Sequence, residues 1–220
     1  MARLARIVVP GGPHLVRQGS RGDRPVFRDR SDRESYLALL ADALDRHRVG
    51  CLAYRLRPDE AMMVLVPPAE AGLCEALRLA HGRYSRRVNR ALSRTGSLFA
   101  GRFQSCPVDP EQLAVGVRYL ESHAGPPPPR TECSALYRAG RHRGPLAPLS
   151  PWLDDRGIEL RRPPDPAEVA YLLGRLRVGK PAGGAEFVRG IEERMGRDLT
   201  RPPGRPTEAS PSPSAPASAV

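Results

Sequence analysis

The sequence predicts an α+β fold in which an antiparallel sheet carries helices on one face. Two observations predict it: a β-hairpin pattern at 51–68, and an orderly succession of strand and helix patterns around that hairpin. Leu52, Tyr54 and Leu56 recur with the period of two that is typical of a half-buried strand. The unbroken apolar run 61–66 is typical of a central strand covered on both faces.

The other elements follow in order along the chain. The predicted elements are a strand at 4–9 that resumes at 14–18, a helix at 32–47, the hairpin, a helix at 71–92, an extended segment at 97–108 and a helix at 110–123. Asp109-Pro110 is a strong helix start, because aspartate caps a helix and proline fits its first position. With the hairpin counted as two strands, the elements before the helix at 110–123 follow a βαββαβ order. This order is the plan of a ferredoxin-like sandwich.

Composition divides the chain into four predicted segments. They are a sheet-and-helix domain at 1–125, a Pro/Gly/Arg-rich linker at 126–164, a small helical appendage at 165–200 with helices at about 165–177 and 185–196, and a Pro/Ser/Ala-rich tail at 201–220. The tail carries no hydrophobic anchor, so we expect it to be disordered.

The net charge of +11 comes almost entirely from arginine. A field of this sign favours a polyanionic partner, nucleic acid first and an acidic membrane surface second. A GC-rich coding bias toward Arg, Ala, Gly and Pro is the alternative explanation. No apolar run approaches the ~20 residues that a membrane-spanning helix needs, the N-terminus lacks a signal-peptide pattern, and the four cysteines include no Cys-x-x-Cys pair. We therefore expect a cytoplasmic protein with reduced cysteines and no membrane partner.

Several segments together carry a family likeness. They are Met-Ala-Arg-Leu-Ala-Arg-Ile-Val-Val-Pro-Gly at 1–11, Pro13-His14-Leu15-Val16, Gly82-Arg83-Tyr84-Ser85-Arg86-Arg87-Val88-Asn89, Ser97-Leu98-Phe99-Ala100-Gly101-Arg102-Phe103 and Val117-Arg118-Tyr119-Leu120-Glu121. Taken together, they resemble REP-associated tyrosine transposases, which are HUH-class single-strand-DNA transposases. The resemblance implies that Tyr119 is the nucleophile that attacks a phosphodiester and forms a phosphotyrosine link.

The resemblance also implies a divalent cation, Mg²⁺ or Mn²⁺, held by a His-hydrophobic-His pair and by a third ligand four residues after the tyrosine. This sequence has Glu60 and Met62 at the positions of the pair and His123 at the third position. A thioether is a poor ligand for hard cations. We therefore expect no metal cofactor, and Mg²⁺ or Mn²⁺ only if the site is active.

Each of these residues has a simpler interpretation. Tyr119 could be an aromatic on an amphipathic helix, Glu60 an exposed residue after a turn, and Met62 part of the core. His123 could be a helix C-terminal histidine that interacts with the helix dipole. His14 lies in a segment that the family keeps, but a lone histidine beside a strand is more often structural.

Phosphate contacts depend on charge rather than on a metal site, so the basic residues are the candidate DNA-binding set. The candidates are Arg17, Arg21 and Arg24 in one loop, Arg83, Arg86, Arg87 and Arg90 on one helix, and Arg102 on the following segment. A merely solvated arginine face is the alternative. Tyr84 and Phe103 could stack on bases, or could be needed for the core.

The sequence therefore favours a transposase-like protein that binds DNA, single-stranded or in a hairpin, with a degenerate catalytic centre. One alternative is an active metal-dependent tyrosine transposase that uses Glu60 and His123. Another is a decaying reading frame without a selected role. The resemblance implies either a monomer or a homodimer.

Overall fold

The computed structural model describes residues 6–22, 24–122, 131–135, 146–149, 153, 164–196 and 198–199. These residues form four strands and five helices: β1 (His14–Gly19), α1 (Arg30–Arg46), β2 (Gly50–Arg57), β3 (Glu60–Val66), α2 (Gly72–Ala91), β4 (Gln104–Pro107), α3 (Pro110–Glu121), α4 (Pro166–Val178) and α5 (Ala185–Met195). Adjacent strands pair antiparallel in the order β2-β3-β1-β4. The predicted α+β class and ferredoxin-like plan are therefore confirmed.

The hairpin of β2 and β3 forms as its sequence pattern predicts, with β3 inside the sheet and β2 at one edge. Every residue of β3 is buried, which agrees with its unbroken apolar run. In β2, however, the register shifts at a bulge between Cys51 and Ala53. The extra residue turns Leu52 to the face opposite Tyr54 and Leu56, so the predicted single face for those three residues is wrong.

Helices α1 and α2, which belong to the βαββαβ plan, share one face of the sheet as predicted, and later helices cover the other face. Helices α1 and α2 pack on one face, with Tyr36 and Leu77 in the same buried cluster as Met63. Helices α3 and α4 pack on the other face, with Val117 and Leu172 in the same cluster as Val64. Because β3 is apolar on both faces, each face needs its own cover.

The N-terminal segment and the outer edge of the sheet differ from the prediction as well. No strand forms at residues 6–9, where Ile7 instead packs against Ile191 of α5. Beside β2, Leu56 N donates to Glu132 O at 2.6 Å and Ser134 N donates to Tyr54 O at 3.1 Å, so this short segment covers the exposed edge. The predicted extended segment at 97–108 forms a strand only at β4.

Two further predictions concern parts of the chain that are only partly described. The predicted tail at 201–220 lies outside the described residues, as does most of the predicted linker. Within the described ranges, no helix is both long enough and apolar enough to cross a membrane.

Candidate nucleic-acid interface

One end of the sheet gathers most of the predicted basic residues, and we call it the loop end. There β1 ends at Gly19 opposite Glu60, the first residue of β3. The loop after β1 wraps the hairpin turn, since Ser20 N donates to Asp59 O and Val26 N donates to Pro58 O, both at 2.7 Å. The loop end is thus defined by the turn and by residues 19–27.

The first turn of α1 and the last turns of α2 also lie at the loop end. Tyr84 Oη donates to Val26 O at 2.8 Å, which fixes α2 against the loop. Between the two helices lies an open groove of about 590 Å³, here called the α1–α2 groove. Its lining contains four arginines, Arg28, Arg83, Arg87 and Arg90, and two aspartates, Asp29 and Asp32.

The two aspartates neutralise only part of this charge. The Arg28 guanidinium forms a bidentate pair with Asp32: Nε donates to Oδ2 at 2.8 Å and Nη2 donates to Oδ1 at 3.0 Å. Partial burial acts to raise the pKa of Asp32, but hydrogen bonds from Arg28 outweigh it and the pKa is lowered. Arg83 forms an ion pair with Asp42 of α1. Arg87 and Arg90 are exposed on the groove wall.

The remaining predicted arginines are exposed, but they lie outside the lining of this groove. Arg21 and Arg24 are in the loop after β1, Arg86 is on the outer side of α2, and Arg102 precedes β4. The structure therefore brings Arg83, Arg87 and Arg90 to one groove and leaves Arg86 outside it.

A second basic group lies on the sheet face that α3 covers. In the strand register Arg17 and Arg55 both lie opposite Met62, and Arg57 lies opposite Glu60. Side chains opposite each other, or two apart on one strand, share a face. We call Arg17, Arg55, Arg57 and Glu60 the sheet-face cluster.

Glu60 is buried at the base of this cluster rather than exposed after the turn. Its side chain is 8% exposed, whereas those of Arg17 and Arg57 are 47% and 49% exposed. Arg17 Nε donates to Glu60 Oε2 at 2.7 Å, and Arg57 Nη1 lies 3.8 Å from Glu60 Oε1. The carboxylate therefore lies beneath two guanidinium groups that reach solvent.

Arg55 connects the cluster to the C-terminal turn of α3. Its Nη1 donates to Tyr119 O at 3.0 Å, and its Nη2 donates to Ser122 O. Burial lowers the pKa of Arg55, and the positive charge of Arg57 lowers it further. The Tyr119 side chain is half-buried and packs against the apolar cluster that contains Met62.

The positions that the family resemblance assigns to a metal hold donors that do not suit one. Glu60 is already in ion pairs with Arg17 and Arg57. Met62 is 2% exposed and packs in the core. His123 lies outside the described residues, within which no three His, Cys, Asp or Glu side chains come close enough to hold a metal ion. A carboxylate engaged by cations and a buried thioether do not fit Mg²⁺ or Mn²⁺.

Of the two interpretations of Tyr84, the structure favours the core over base stacking. Tyr84 is fully buried, packs edge-on against Tyr36 with ring centroids 5.3 Å apart, and contacts Phe27. Phe103 is half-buried, and the guanidinium of Arg6 lies 3.7 Å from its ring centroid. Tyr84 therefore has no open face for a base, and Arg6 covers one face of the Phe103 ring.

Sequence reasoning missed three basic residues of the site, namely Arg28, Arg55 and Arg57. Arg55 and Arg57 alternate with the apolar residues of β2, which was a signal that they share one face. Arg28 lies before the N-cap of α1, so helical spacing gave no signal for its ion pair with Asp32.

Comparison with known proteins gives similar structures at low sequence identity. No protein-family model and no curated protein matches the chain. A REP-associated tyrosine transposase bound to a REP hairpin is similar at TM-score 0.48 and 11% identity, over 75% of this chain and 93% of that chain. A Deinococcus radiodurans protein assigned as a transposase is similar at TM-score 0.39 and 17% identity, over 56% of this chain and 100% of that chain. A bacterial tRNA-His guanylyltransferase-like protein in complex with GTP is similar at TM-score 0.38 and 9% identity, over 52% of this chain and 62% of that chain. With TM-scores below 0.5, none of these similarities carries an argument about what this chain binds.

Proposed function

We propose that the chain is a transposase-like DNA-binding protein whose nuclease centre is degenerate. The observation that supports this proposal is the convergence of arginines at the loop end. They come from the loop after β1, from β2, from the approach to α1 and from the second half of α2. A basic surface of this kind favours the phosphate backbone of a nucleic acid.

The donor set around Tyr119 supports the degenerate centre. A metal-dependent phosphotyrosine reaction needs a cation to polarise the phosphate and to offset developing charge. Glu60 is engaged by two arginines and Met62 is buried in the core. Tyr119 is therefore proposed to be a relic of the nucleophile, or simply a packing residue.

DNA binding is tested with a fluorescein-labelled DNA hairpin that carries single-stranded flanks, by anisotropy across a salt series. We expect binding that weakens steeply as salt rises, because counterions are released from neutralised phosphates. Sedimentation of the same complex would show whether one or two copies bind. Absence of binding at low salt would contradict the proposed function and favour a reading frame without a selected role.

Catalysis is tested with the same hairpin and Mn²⁺. We expect neither a nick nor a covalent adduct on a denaturing gel, for the wild type or for Tyr119→Phe. An adduct formed by the wild type and absent from Tyr119→Phe would instead establish the alternative, an active metal-dependent tyrosine transposase.

A further inference from the structure

We infer that the sheet-face cluster is a metal-independent binding site for one phosphate group of the nucleic acid. Arg17 and Arg57 are its donors, and Glu60 is a positioning residue beneath them. The inference rests on the proposed DNA binding and goes beyond it by assigning a phosphate to particular side chains.

The geometry of Arg17 leaves donors for a second anion. Its Nε donates to Glu60 Oε2 at 2.7 Å, so the guanidinium is held along one edge. A guanidinium is planar and carries five donors, and binding through Nε leaves the Nη groups available. Phosphate oxygens match that fork geometry.

The balance of charge in the cluster favours an anion as well. Two guanidinium groups, those of Arg17 and Arg57, flank the carboxylate of Glu60, and that of Arg55 lies on the same face and interacts electrostatically with Glu132, so the positive charges outnumber the negative ones. The cluster therefore repels a divalent cation and attracts an anion. The positive charge that a metal would bring to a phosphate is already supplied by the protein.

The cluster is also preorganised. The buried carboxylate holds Arg17 and lies close to Arg57, while Arg55 is fixed by the carbonyls of Tyr119 and Ser122. Side chains held in this way lose less conformational entropy when a ligand binds. The donors are nevertheless about half exposed, so a phosphate can reach them without a rearrangement of the core.

The test replaces the phosphates of the labelled hairpin one at a time by neutral methylphosphonate, and measures binding in EDTA. For the wild type we expect one position, or two adjacent positions, at which the replacement weakens binding by about tenfold, the order expected for a charge-assisted contact. The variant Arg17→Ala/Arg57→Ala should bind the unmodified hairpin about tenfold more weakly, and should be insensitive to the replacement at that position.

The matched control is Arg189→Ala/Arg194→Ala, which removes the same charge from exposed residues of α5. It should keep the full sensitivity of the wild type at the same position. A second variant, Arg17→Lys/Arg57→Lys, keeps two positive charges beside the buried carboxylate of Glu60 and so preserves the fold. It loses the planar donor geometry of the guanidinium groups. It should lose a large part of that sensitivity, with an unchanged thermal unfolding midpoint.

The outcomes separate the inference from the proposed function. The wild type could bind the hairpin while Arg17→Ala/Arg57→Ala loses as much affinity at each methylphosphonate position as the Arg189→Ala/Arg194→Ala control does. In that case the inference is wrong and DNA binding stands. If binding appears only when Mn²⁺ replaces EDTA, the inference is wrong as well. If the wild type does not bind at all, both are overturned.

Discussion

At the scale of single residues, two histidines, the buried His14 and the half-buried His81, are held as neutral rings. Val9 N donates to His14 Nε2 at 3.0 Å, so Nδ1 carries the proton and donates to Gly12 O at 2.9 Å. His81 is hydrogen-bonded to Tyr36 Oη at 3.1 Å. Burial lowers the pKa of each ring to about 4. The structural interpretation of His14 therefore agrees with its contacts.

These two rings make the stability of the fold depend on pH. In the unfolded chain they take up protons near pH 6.5, but in the folded chain only near pH 4. Their contribution to stability is therefore complete above pH 6.5 and is lost as the pH falls toward 4. Each histidine should add a slope of up to about 1.4 kcal/mol per pH unit in that window. Urea unfolding at pH 7, 6, 5 and 4.5 measures this slope.

The variants His14→Gln and His81→Gln should each flatten the pH dependence, although both also lower the stability at pH 7. The control is His47→Gln, at a half-exposed histidine that lies 3.3 Å from Glu75. It shows whether the loss of any histidine flattens the slope, or only the loss of a ring that burial keeps neutral. Equal slopes in all four proteins would contradict the assignment of buried neutral rings.

Gly183 is a position where contacts exclude any side chain. A Cβ atom there would lie 2.7 Å from Asp109 Cγ and 2.7 Å from Phe187 Cδ1. We expect Gly183→Ala to destabilise the fold by about 1–3 kcal/mol, the usual cost of overpacking. Gly190→Ala is the matched control, because a Cβ atom at that position would meet no atom within 4 Å, and alanine is favoured over glycine inside a helix such as α5 by about 1 kcal/mol. Thermal unfolding should therefore shift in opposite directions, and a stabilised Gly183→Ala would contradict the packing.

At the scale of elements, the start of α3 shows what a local pattern can and cannot predict. Asp109-Pro110 predicts the helix start, and Asp109 Oδ1 does accept from Gln112 N at 2.8 Å. The other carboxylate oxygen, Oδ2, accepts from Gly184 N at 2.9 Å. No local pattern could indicate this second bond, because its partner is 75 residues away. One carboxylate thus caps α3 and holds the segment before α5.

This double role predicts an unequal cost for two capping residues. Asp165 caps α4 at an exposed position, where its Oδ1 accepts from Ala167 N at 2.7 Å. We expect Asp165→Ala to cost about 1 kcal/mol, as an ordinary cap does, and Asp109→Ala to cost roughly twice as much, because it also leaves Gly184 N without its acceptor. Urea unfolding measures both, and amide exchange at Gly184 should accelerate only in Asp109→Ala. Equal losses of unfolding free energy in the two variants would contradict a stabilising role for the hydrogen bond from Gly184 N to Asp109 Oδ2.

Helix α3 and strand β2 show that the type of an element can be predicted locally, whereas the face on which it packs cannot. The apolar spacing of α3 marks a buried face, but several apolar surfaces could receive it, and only the tertiary structure selects the second face of the sheet. In β2 the bulge adds one residue to a regular alternation. Because a one-residue shift moves side chains to the opposite face, the predicted position of Leu52 is wrong while the strand itself is confirmed.

At the scale of the whole molecule, the chain topology decides which basic residues meet. The sequence predicts basic residues in the loop and on α2, and the strand order brings both groups to the loop end. Composition alone could not pair Arg17 with Glu60, which is 43 residues away, nor place Arg57 beside them. The fold class was therefore predictable from local patterns, whereas the sheet-face cluster depends on strand register.

This concentration of charge predicts how the salt dependence of DNA binding responds to substitution. Each contact with a phosphate of a single strand contributes about 0.7 to the slope of log affinity against log salt. Arg87→Gln/Arg90→Gln removes two exposed arginines of the α1–α2 groove, so we expect the slope to fall by about 1 to 1.5.

The control Arg189→Gln/Arg194→Gln makes the same change in net charge on α5, away from the loop end. It should leave the slope nearly unchanged, because exposed charges farther from the DNA than the Debye length of about 8 Å are screened at physiological salt. Anisotropy titrations of the labelled hairpin at four salt concentrations give both slopes. If the two variants lowered the slope equally, binding would follow overall charge and not the loop end. A fall confined to the α2 variant would show that phosphates contact the groove, because net charge is the same in both.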